Sequence, residues 1–328
     1  KYECIENGTH RRMGLNGKYI RSFFGETESF MNLWEAVFCG IIQGLTEFLP
    51  VSSSGHLAFF HNFFGEIADS TGLDILYFFG EMEDSMSFDI LLHLGTLAAV
   101  CIVYYKDIWE LIKAFFSLVG KVFREKFRFK NIKLSINEKF LVMLFVAVIP
   151  LVIGAVLEDG VEAVREYTWA IGILWIFNGF LLFFSDRIAA KRKKLTNEEA
   201  EKNKTFFNAL KVGLCQVLAI FPGISRSGMT ITGGLLCGFD REYAVKFSFI
   251  LSIPAILGAN ILSIKDFTAI ESEYVIPYIF GMIAAMLSGL AAIKLLNYIS
   301  KKKDFRVFSI YCIIIGIIAI VMGIFQAF

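Results

Sequence analysis

Long apolar runs constrain this chain more than any other feature of its sequence. Four runs reach or approach the roughly 20 residues that an α-helix needs to cross the hydrocarbon core of a bilayer. They are Phe88 to Tyr105, Phe140 to Leu157, Tyr274 to Asn297 and Val307 to Phe328. Because 56% of the 328 residues are hydrophobic, a soluble protein could not bury this much apolar surface. The sequence therefore predicts an all-α polytopic membrane protein.

Charged residues are clustered in short segments, and their positions predict the orientation. Lys and Arg cluster at residues 121–133, 187–204 and 301–306, whereas residues 158–167 and 265–274 are net acidic. By the positive-inside rule, the basic segments lie in the cytoplasm and the acidic segments lie outside. The net charge is only +1, and we expect no nucleic-acid partner. The six cysteines form no CxxC pair, so neither a disulfide framework nor a zinc site is expected.

Two apolar segments do not fit this alternation of sides. Asn32 to Phe64 begins and ends outside, Phe206 to Phe239 begins and ends in the cytoplasm, and both are interrupted by proline, serine and glycine. Irregular backbone is tolerated at membrane depth only where it is buried in protein or lines a cavity. We therefore predict two re-entrant helical hairpins that enter the membrane from opposite faces and meet at their tips.

The two hairpins are related in sequence. A shift of 173 positions aligns Gln43 with Gln216 and brings further identities into line. These are Ala36/Ala209, Gly40/Gly213, Leu45/Leu218, Phe48/Phe221, Ser52/Ser225, Ser54/Ser227 and Gly55/Gly228. After each hairpin, Phe88 to Leu97 matches Phe247 to Ile256 with a shorter shift. The pattern predicts an interdigitated inverted repeat within one membrane domain at residues 31–328, with repeats at about 31–185 and 205–328.

Ionisable residues lie in the interrupted centre of both hairpins. The first centre holds Glu47, three consecutive serines and His56, and the second holds Arg226 between two serines. Charged groups at membrane depth are costly, which makes these residues functional candidates. A guanidinium, hydroxyls and the backbone amides near Gly55 and Gly228 suit a phosphorylated ligand. Glu47 could hold a divalent cation, and His56 could act as a nucleophile or as a general acid or base.

The two centres also resemble a known family. GLTEFLPVSSSGH at residues 44–56 and PGISRSG at residues 222–228 resemble the signature motifs of the undecaprenyl-diphosphate phosphatases, the bacitracin-resistance family. The resemblance extends from about Met31 to the C-terminus. It implies a hydrolase acting on a diphosphate anhydride, which converts undecaprenyl diphosphate to undecaprenyl phosphate and inorganic phosphate and so recycles the lipid carrier of peptidoglycan synthesis. It also implies a bacterial plasma membrane, an active site that opens outward, and an effect on bacitracin only through the shared lipid substrate.

The resemblance assigns roles to residues of both motifs. It implies that Glu47 is an essential carboxylate associated with a divalent cation, Mg²⁺ or Ca²⁺. It implies that Ser53 and His56 are the nucleophile and its catalytic partner, and that Arg226 binds the diphosphate. The other predicted diphosphate-binding residues are Ser52, Ser54, Gly55, Ser225, Ser227 and Gly228.

One position departs from the pattern of some family members, which carry a second glutamate where this chain has Gln43. A scheme that needs two ionised carboxylates is therefore in doubt here. Either one carboxylate suffices and Gln43 contributes its carbonyl oxygen, or the phosphates of the substrate hold the metal.

Several alternatives stay open from the sequence. Inverted repeats with broken helices are a common transporter design, so a polyprenyl-phosphate lipid transporter is the alternative function. Asp89 and His93 share a helix face, but structural pairing explains them as well as catalysis does, and they are not part of the predicted site. The segment Lys106 to Arg124 is amphipathic and is predicted to lie along the cytoplasmic interface, with a short core helix as the alternative. A homodimer is one open oligomeric state, and residues 1–30 are predicted to be a non-essential polar extension.

Overall fold

The described part of the chain is helical. The computed structural model describes residues 33–71, 86–124, 133–191, 203–263, 272, 274–302 and 304–326, and no β-strand occurs in these ranges. The α-helices are α1 Leu33–Phe48, α2 Ser53–Thr71, α3 Met86–Val103, α4 Tyr105–Arg124, α5 Ile136–Val148, α6 Leu151–Glu162, α7 Thr168–Lys191, α8 Phe206–Val217, α9 Arg226–Leu236, α10 Arg241–Ser263, α11 Val275–Lys302 and α12 Arg306–Gln326. Single 3₁₀ turns occupy Ala163–Glu166 and Leu218–Ile220.

Five segments of the described residues are long and apolar enough to cross a membrane. They are Ile136–Gly154, Thr168–Lys191, Arg241–Ile261, Val275–Lys301 and Arg306–Phe325. A sixth span is obtained if α3 and α4, which are bent by 87° relative to each other, are counted together. The predicted all-α polytopic fold is confirmed. The sharp bend turns α4 away from the direction of α3, and the position of α4 along the cytoplasmic interface stays a prediction.

The predicted span from Phe140 to Leu157 is interrupted in the structure. α5 ends and α6 begins on either side of Pro150. Proline has no N–H to donate, and its ring clashes with the carbonyl four residues earlier. A tighter hydrogen bond from Val152 N to Ile149 O (3.2 Å) crosses the interruption. The apolar run therefore forms one span with a break near its middle.

Both predicted hairpins are present as a helix, a break and a second helix. Residues 49–52 separate α1 from α2, and residues 218–225 separate α8 from α9. α8 and α9 have only 12 and 11 residues, so neither can cross a hydrocarbon core of roughly 30 Å at 1.5 Å per residue. The two helices of each hairpin pack against each other. Short paired helices of this kind are what a re-entrant hairpin requires.

Equivalent glycines show that the two hairpins are packed in equivalent ways. Gly40 of α1 lies against α11, and a Cβ atom at residue 40 would come within 2.2 Å of Gly281 O. Gly213 of α8, its counterpart in the repeat, lies against α5, and a Cβ atom there would come within 2.2 Å of Ala147 O. Each hairpin therefore packs on a helix of the other repeat. This exchange is the interdigitation that the sequence repeat predicts.

The repeat also includes α7 and α12, which the sequence comparison did not relate to each other. They cross at Gly172 and Gly316, where a Cβ atom on either glycine would lie 2.6 Å from the carbonyl oxygen of the other. The neighbouring contacts are also reciprocal, because Gly172 faces Ile320 and Gly316 faces Ile176. A shift of 144 positions relates both pairs. The equivalence was not predicted because most surrounding residues are apolar and Asn178 of α7 has the apolar counterpart Met322 in α12. Each helix nevertheless has a second glycine seven residues after the first, which is a usable signal.

We expect Gly172→Ala to destabilise the fold, because the added methyl group would force α7 and α12 apart at their closest approach. Overpacking of this kind costs about 1–3 kcal/mol. Thermal unfolding in detergent measures the effect. Gly258→Ala in α10 is the matched control, because a Cβ atom at residue 258 meets nothing within 4 Å. An equal melting temperature for Gly172→Ala and wild type would contradict the close crossing.

Two predictions lie outside the described residues. Residues 1–30 are not described, so their role as an extension stays a prediction. Most residues of the basic segments at 121–133 and 187–204 and of the acidic segment at 265–274 are also not described. The orientation of the protein in the membrane therefore stays a prediction as well.

Candidate active site

The site is built where the helices α2 and α9 begin. Each begins after a serine whose hydroxyl accepts a hydrogen bond from a backbone N–H three residues later. Ser52 accepts from Gly55 N (3.2 Å), and Ser225 accepts from Gly228 N (3.1 Å). Serine is a favoured N-cap because its short side chain satisfies an unpaired amide of the first turn. The paired serines of the repeat therefore set the start of both helices.

The two hairpin breaks touch each other. Ser52 Oγ also accepts from Gly223 N of the opposite break (3.2 Å), and Ser227 Oγ donates to Leu49 O (3.1 Å). A Cβ atom at Gly55 would come within 2.8 Å of Gly223 Cα, so only glycine permits this approach. The prediction that the tips meet is confirmed. The hydroxyls of Ser52 and Ser227 join the hairpins, and their predicted role in diphosphate binding stays a prediction.

Two side chains of α7 hold both breaks in place. Trp175 Nε1 donates to Val51 O (2.8 Å), and Asn178 Nδ2 donates to Pro50 O (3.0 Å). Asn178 Oδ1 accepts from Ser225 N on the other hairpin (3.2 Å). Both side chains are fully buried. They were not predicted, although an asparagine within a membrane-spanning run is a usable signal because a buried amide needs partners.

Glu47 is the centre of the polar cluster and is almost completely buried. Its Oε1 pairs with Arg226 Nη2, and its Oε2 accepts from Ser53 Oγ (2.6 Å) and from Gln43 Nε2 (3.2 Å). Ser53 and Arg226 are the first residues of α2 and α9, and they occupy the same position in the two repeats. The structure therefore brings Glu47, Ser53, Arg226 and Gln43 together as predicted.

Two buried polar atoms of this cluster have no hydrogen-bond partner among the described residues. They are Arg226 Nη1, a donor, and Gln43 Oε1, an acceptor. A buried donor without a partner costs about 1–3 kcal/mol, and more when it is charged. Ser53 and Arg226, whose side chains both contact Glu47, are the first residues of two helices, and the positive dipole ends of helices favour an anion. The arrangement is suited to an anionic oxygen of a ligand.

The structure places His56 away from this cluster. Its Nδ1 lies 2.6 Å from Ser52 O, which can only accept, so Nδ1 carries the hydrogen. Its Nε2 then accepts from Tyr311 OH (2.7 Å), and the ring packs edge-on against Trp175. Ser52 has a φ angle of +72°, a left-handed conformation that is unfavourable for serine. In this arrangement His56 holds the backbone carbonyl of Ser52, the residue that precedes Ser53. The predicted role of His56 in the chemistry stays a prediction.

We expect His56→Ala to lower both the melting temperature and the activity, because the strained Ser52 would lose its side-chain donor and Ser53 would shift. Tyr311→Phe removes only one hydrogen bond and is expected to have a smaller effect, about 1 kcal/mol. Added imidazole is expected not to restore His56→Ala, since His56 is only 4% exposed and a solute has little access to its position. Restoration by imidazole, with a normal melting temperature, would instead indicate proton chemistry at His56.

A second histidine contacts the cluster. His93 Nε2 lies 3.2 Å from Gln43 Nε2 and 4.0 Å from Glu47 Oε2. His93 Nδ1 lies 2.9 Å from Asp89 O and 3.4 Å from Asp89 Oδ1. The spacing of Asp89 and His93 had indicated a shared helix face, and the structure places that face next to Glu47.

The described residues do not fit a resident divalent cation at Glu47. No group of three or more His, Cys, Asp or Glu side chains that could hold a metal occurs among them. Both oxygens of Glu47 already accept from N–H or O–H donors, and Arg226 is a permanent cation at one of them. Gln43 presents its amide nitrogen, not its oxygen, to the carboxylate. A cation at this point would have to displace these donors, so the metal at Glu47 stays an untested prediction that this geometry does not favour.

The sequence of this chain has known relatives that cover nearly all of it. A family model described as "Bacitracin resistance protein BacA" matches residues 36–318. The chain belongs to this family. Within the BacA family, the "Undecaprenyl-diphosphatase" of Halothermothrix orenii is 37% identical over 299 residues, which cover 90% of this chain and 100% of that protein. The "Undecaprenyl-diphosphatase" of Methanosphaera stadtmanae is 36% identical over 296 residues, which cover 90% of this chain and 99% of that protein.

The BacA family match includes every residue of the polar cluster. The matched segment begins at Ala36, before Gln43, and ends at Ile318, beyond Tyr311. Both hairpins and the pair α7 and α12 that holds them therefore lie within it, apart from a few residues at the two ends. The resemblance predicted from two short motifs is confirmed over the whole membrane domain.

Proposed function

We propose that this protein hydrolyses undecaprenyl diphosphate to undecaprenyl phosphate and inorganic phosphate. The observation that carries the proposal is the arrangement around Glu47. A serine hydroxyl lies 2.6 Å from the carboxylate that could accept its proton, and a buried guanidinium nitrogen beside it has no partner. The names of the curated relatives support the choice of substrate. The reaction class is nucleophilic displacement at phosphorus.

In the first half of the proposed reaction, Ser53 Oγ attacks the terminal phosphorus. Its proton passes to Glu47 Oε2 as the Oγ–P bond forms. The bond from that phosphorus to the bridging oxygen breaks, and the electron pair leaves with undecaprenyl phosphate. Arg226 and the free amides of the first turns of α2 and α9 stabilise the negative charge on the phosphoryl oxygens. Ser53 fits the role of nucleophile better than His56, because both ring nitrogens of His56 are already bonded elsewhere.

In the second half, water attacks the phosphoserine, keeps one hydrogen as a hydroxyl of the phosphate and releases the other to the solvent. The Oγ–P bond breaks, Ser53 Oγ takes back from Glu47 the proton that it lost in the first half, and inorganic phosphate leaves. The sum of the two halves is the addition of one water to one diphosphate. Arg226 serves both halves because the phosphoryl group stays in place, so one anion site is enough.

We infer that the prenyl chain of the substrate lies among membrane lipids and that the site opens to the outer face of a bacterial plasma membrane. Recycling of the lipid carrier would then serve peptidoglycan synthesis, and bacitracin would be affected only through the shared lipid. A divalent cation, Mg²⁺ or Ca²⁺, would enter with the phosphates of the substrate. No feature of the described residues favours the alternative of lipid carriage, which needs phosphate donors but no nucleophile.

Phosphate release from undecaprenyl diphosphate by the detergent-purified full chain tests the proposal. Release that is lost in Glu47→Gln would support it, and no release from folded wild type would overturn it.

The effect of a chelator should be measured both on phosphate release and on thermal unfolding in the absence of substrate. We expect chelator to leave the melting temperature unchanged, because no described group needs a cation. A lower melting temperature in chelator would instead indicate a resident cation.

A further inference from the structure

Exposure increases along a line of polar side chains that begins at the buried Glu47. The exposed fraction of the side chain is 7% for Glu47, 29% for His93 and 58% for Asp89. The two nitrogens of His93 face different carboxylates, Nε2 toward Glu47 and Nδ1 toward Asp89. The line therefore connects the carboxylate that contacts Ser53 to the surface of the protein.

Hydrogen-bond geometry assigns the resting protonation of His93. Nδ1 lies 2.9 Å from the carbonyl of Asp89, which can only accept, so Nδ1 carries a hydrogen. Gln43 Nε2 lies 3.2 Å from both Glu47 Oε2 and His93 Nε2. The reverse orientation of the amide would place Oε1 against the ionised carboxylate, so Nε2 faces both groups and donates to both. His93 Nε2 is therefore an acceptor in the resting state.

We propose that His93 receives, at Nε2, the proton that Glu47 removes from Ser53, and that Asp89 positions His93 for this step. The inference rests on the proposed hydrolysis. The direct distance of 4.0 Å exceeds a hydrogen bond, so the step needs a small approach of the two side chains or one bridging water. Once Nε2 carries the proton, it can no longer accept from Gln43. The amide of Gln43 then donates to Glu47 alone, whose carboxylate is ionised again.

This role explains why an amide serves at residue 43. An amide can donate to both Glu47 and His93 in the resting state, whereas an ionised glutamate can only accept. The proton returns by the same line when Ser53 leaves the phosphoserine. No proton is gained or lost over the cycle beyond those of the substrate and the water.

The charged groups around His93 are few in the described part of the chain. Asp89 lies on its own helix, Glu47 lies on α1, and Arg226 on α9 pairs with Glu47 on the side away from His93. Arg165, from the 3₁₀ turn after α6, acts electrostatically on Asp89. The pH profile of activity of a variant that lacks His93 can therefore be compared directly with the pH profile of a variant that lacks Asp89.

The test is the pH profile of phosphate release from undecaprenyl diphosphate by the full chain in detergent. We expect His93→Gln to lower kcat about 100-fold, the lower end of the usual effect of a general base, with KM changed less than about twofold. The fall of activity at low pH should move to lower pH, because a protonated His93 no longer limits the rate. Imidazole should partly restore His93→Ala in proportion to its unprotonated fraction. Asp89→Asn should give a smaller loss than His93→Gln.

Ser252→Ala is the matched control, because Ser252 is the counterpart of His93 in the second repeat and donates within its own helix to Phe249 O (2.7 Å). Its profile should equal that of wild type. Wild-type rate and pH profile in His93→Gln, or a slow His93→Ala that imidazole does not restore, would overturn the inference and leave the hydrolase intact. No release from wild type would overturn the proposed function, and the inference with it.

Discussion

Ser53→Ala should lower phosphate release by at least about 1,000-fold, because it removes the atom that we propose bonds to phosphorus. Binding of undecaprenyl diphosphate should change little, since Arg226 and the helix N-termini remain. The melting temperature should stay close to that of wild type, because Ser53 is partly exposed and only one hydrogen bond is lost. Initial rates of phosphate release and a substrate-binding measurement separate these two effects.

Ser309→Ala provides the control for Ser53→Ala. Its hydroxyl is buried in α12 and bonds only within its own helix, to Phe305 O (3.4 Å). Activity equal to wild type is expected for this variant. If Ser53→Ala retained more than about a tenth of the wild-type rate, Ser53 would not be the nucleophile, and attack by water activated at Glu47 would become the better mechanism.

Arg226→Gln should remove activity and also destabilise the protein. The side chains of Arg226 and Glu47 are 19% and 7% exposed, so the variant leaves a carboxylate buried without its cation. Removal of one partner from a buried pair costs about 3–5 kcal/mol. Loss of the guanidinium also removes the main source of positive charge for the phosphoryl group. Thermal unfolding and phosphate release together measure both effects.

The double variant Glu47→Gln with Arg226→Gln distinguishes stability from catalysis. Two neutral amides leave no unpaired charge, so we expect its melting temperature to exceed that of Arg226→Gln alone. Its activity should stay at background. A double variant as unstable as the sum of both single variants would show that the pair does not interact in the folded protein.

Much of the fold could be predicted because membrane insertion restricts the choices. Apolar length predicts the spans, and serine, glycine and proline in the middle of an apolar run predict a broken helix. The repeat was detectable in the hairpins because Gln43/Gln216 and the paired serines and glycines are improbable in apolar sequence. It was harder to detect between α7 and α12, where most residues are apolar and two glycines in each helix are the distinctive residues that the helices share.

The structure brings the predicted Glu47 and Arg226 together, but it places His93, and not the predicted His56, beside Glu47. His56 is close to Glu47 in sequence, yet the left-handed turn at Ser52 directs the next helix so that the imidazole faces Tyr311. His93 is distant in sequence, yet the packing of α3 beside α1 places it against Glu47. A motif reports which residues occur together along the chain, whereas the directions of side chains after a turn are decided by tertiary packing.

Ser53 and Arg226 occupy one and the same position in the two halves, and this identity has an evolutionary consequence. A single ancestral segment that inserted in both orientations would have formed a dual-topology dimer with two equal half-sites, each bearing the same residue at that position. In the present chain the two halves differ at these positions, because the first half has Ser53 and Glu47 where the second half has Arg226 and Ile220. The two halves therefore contribute different side chains to one polar cluster, and an exchange of residues between them would not restore a symmetrical pair of sites.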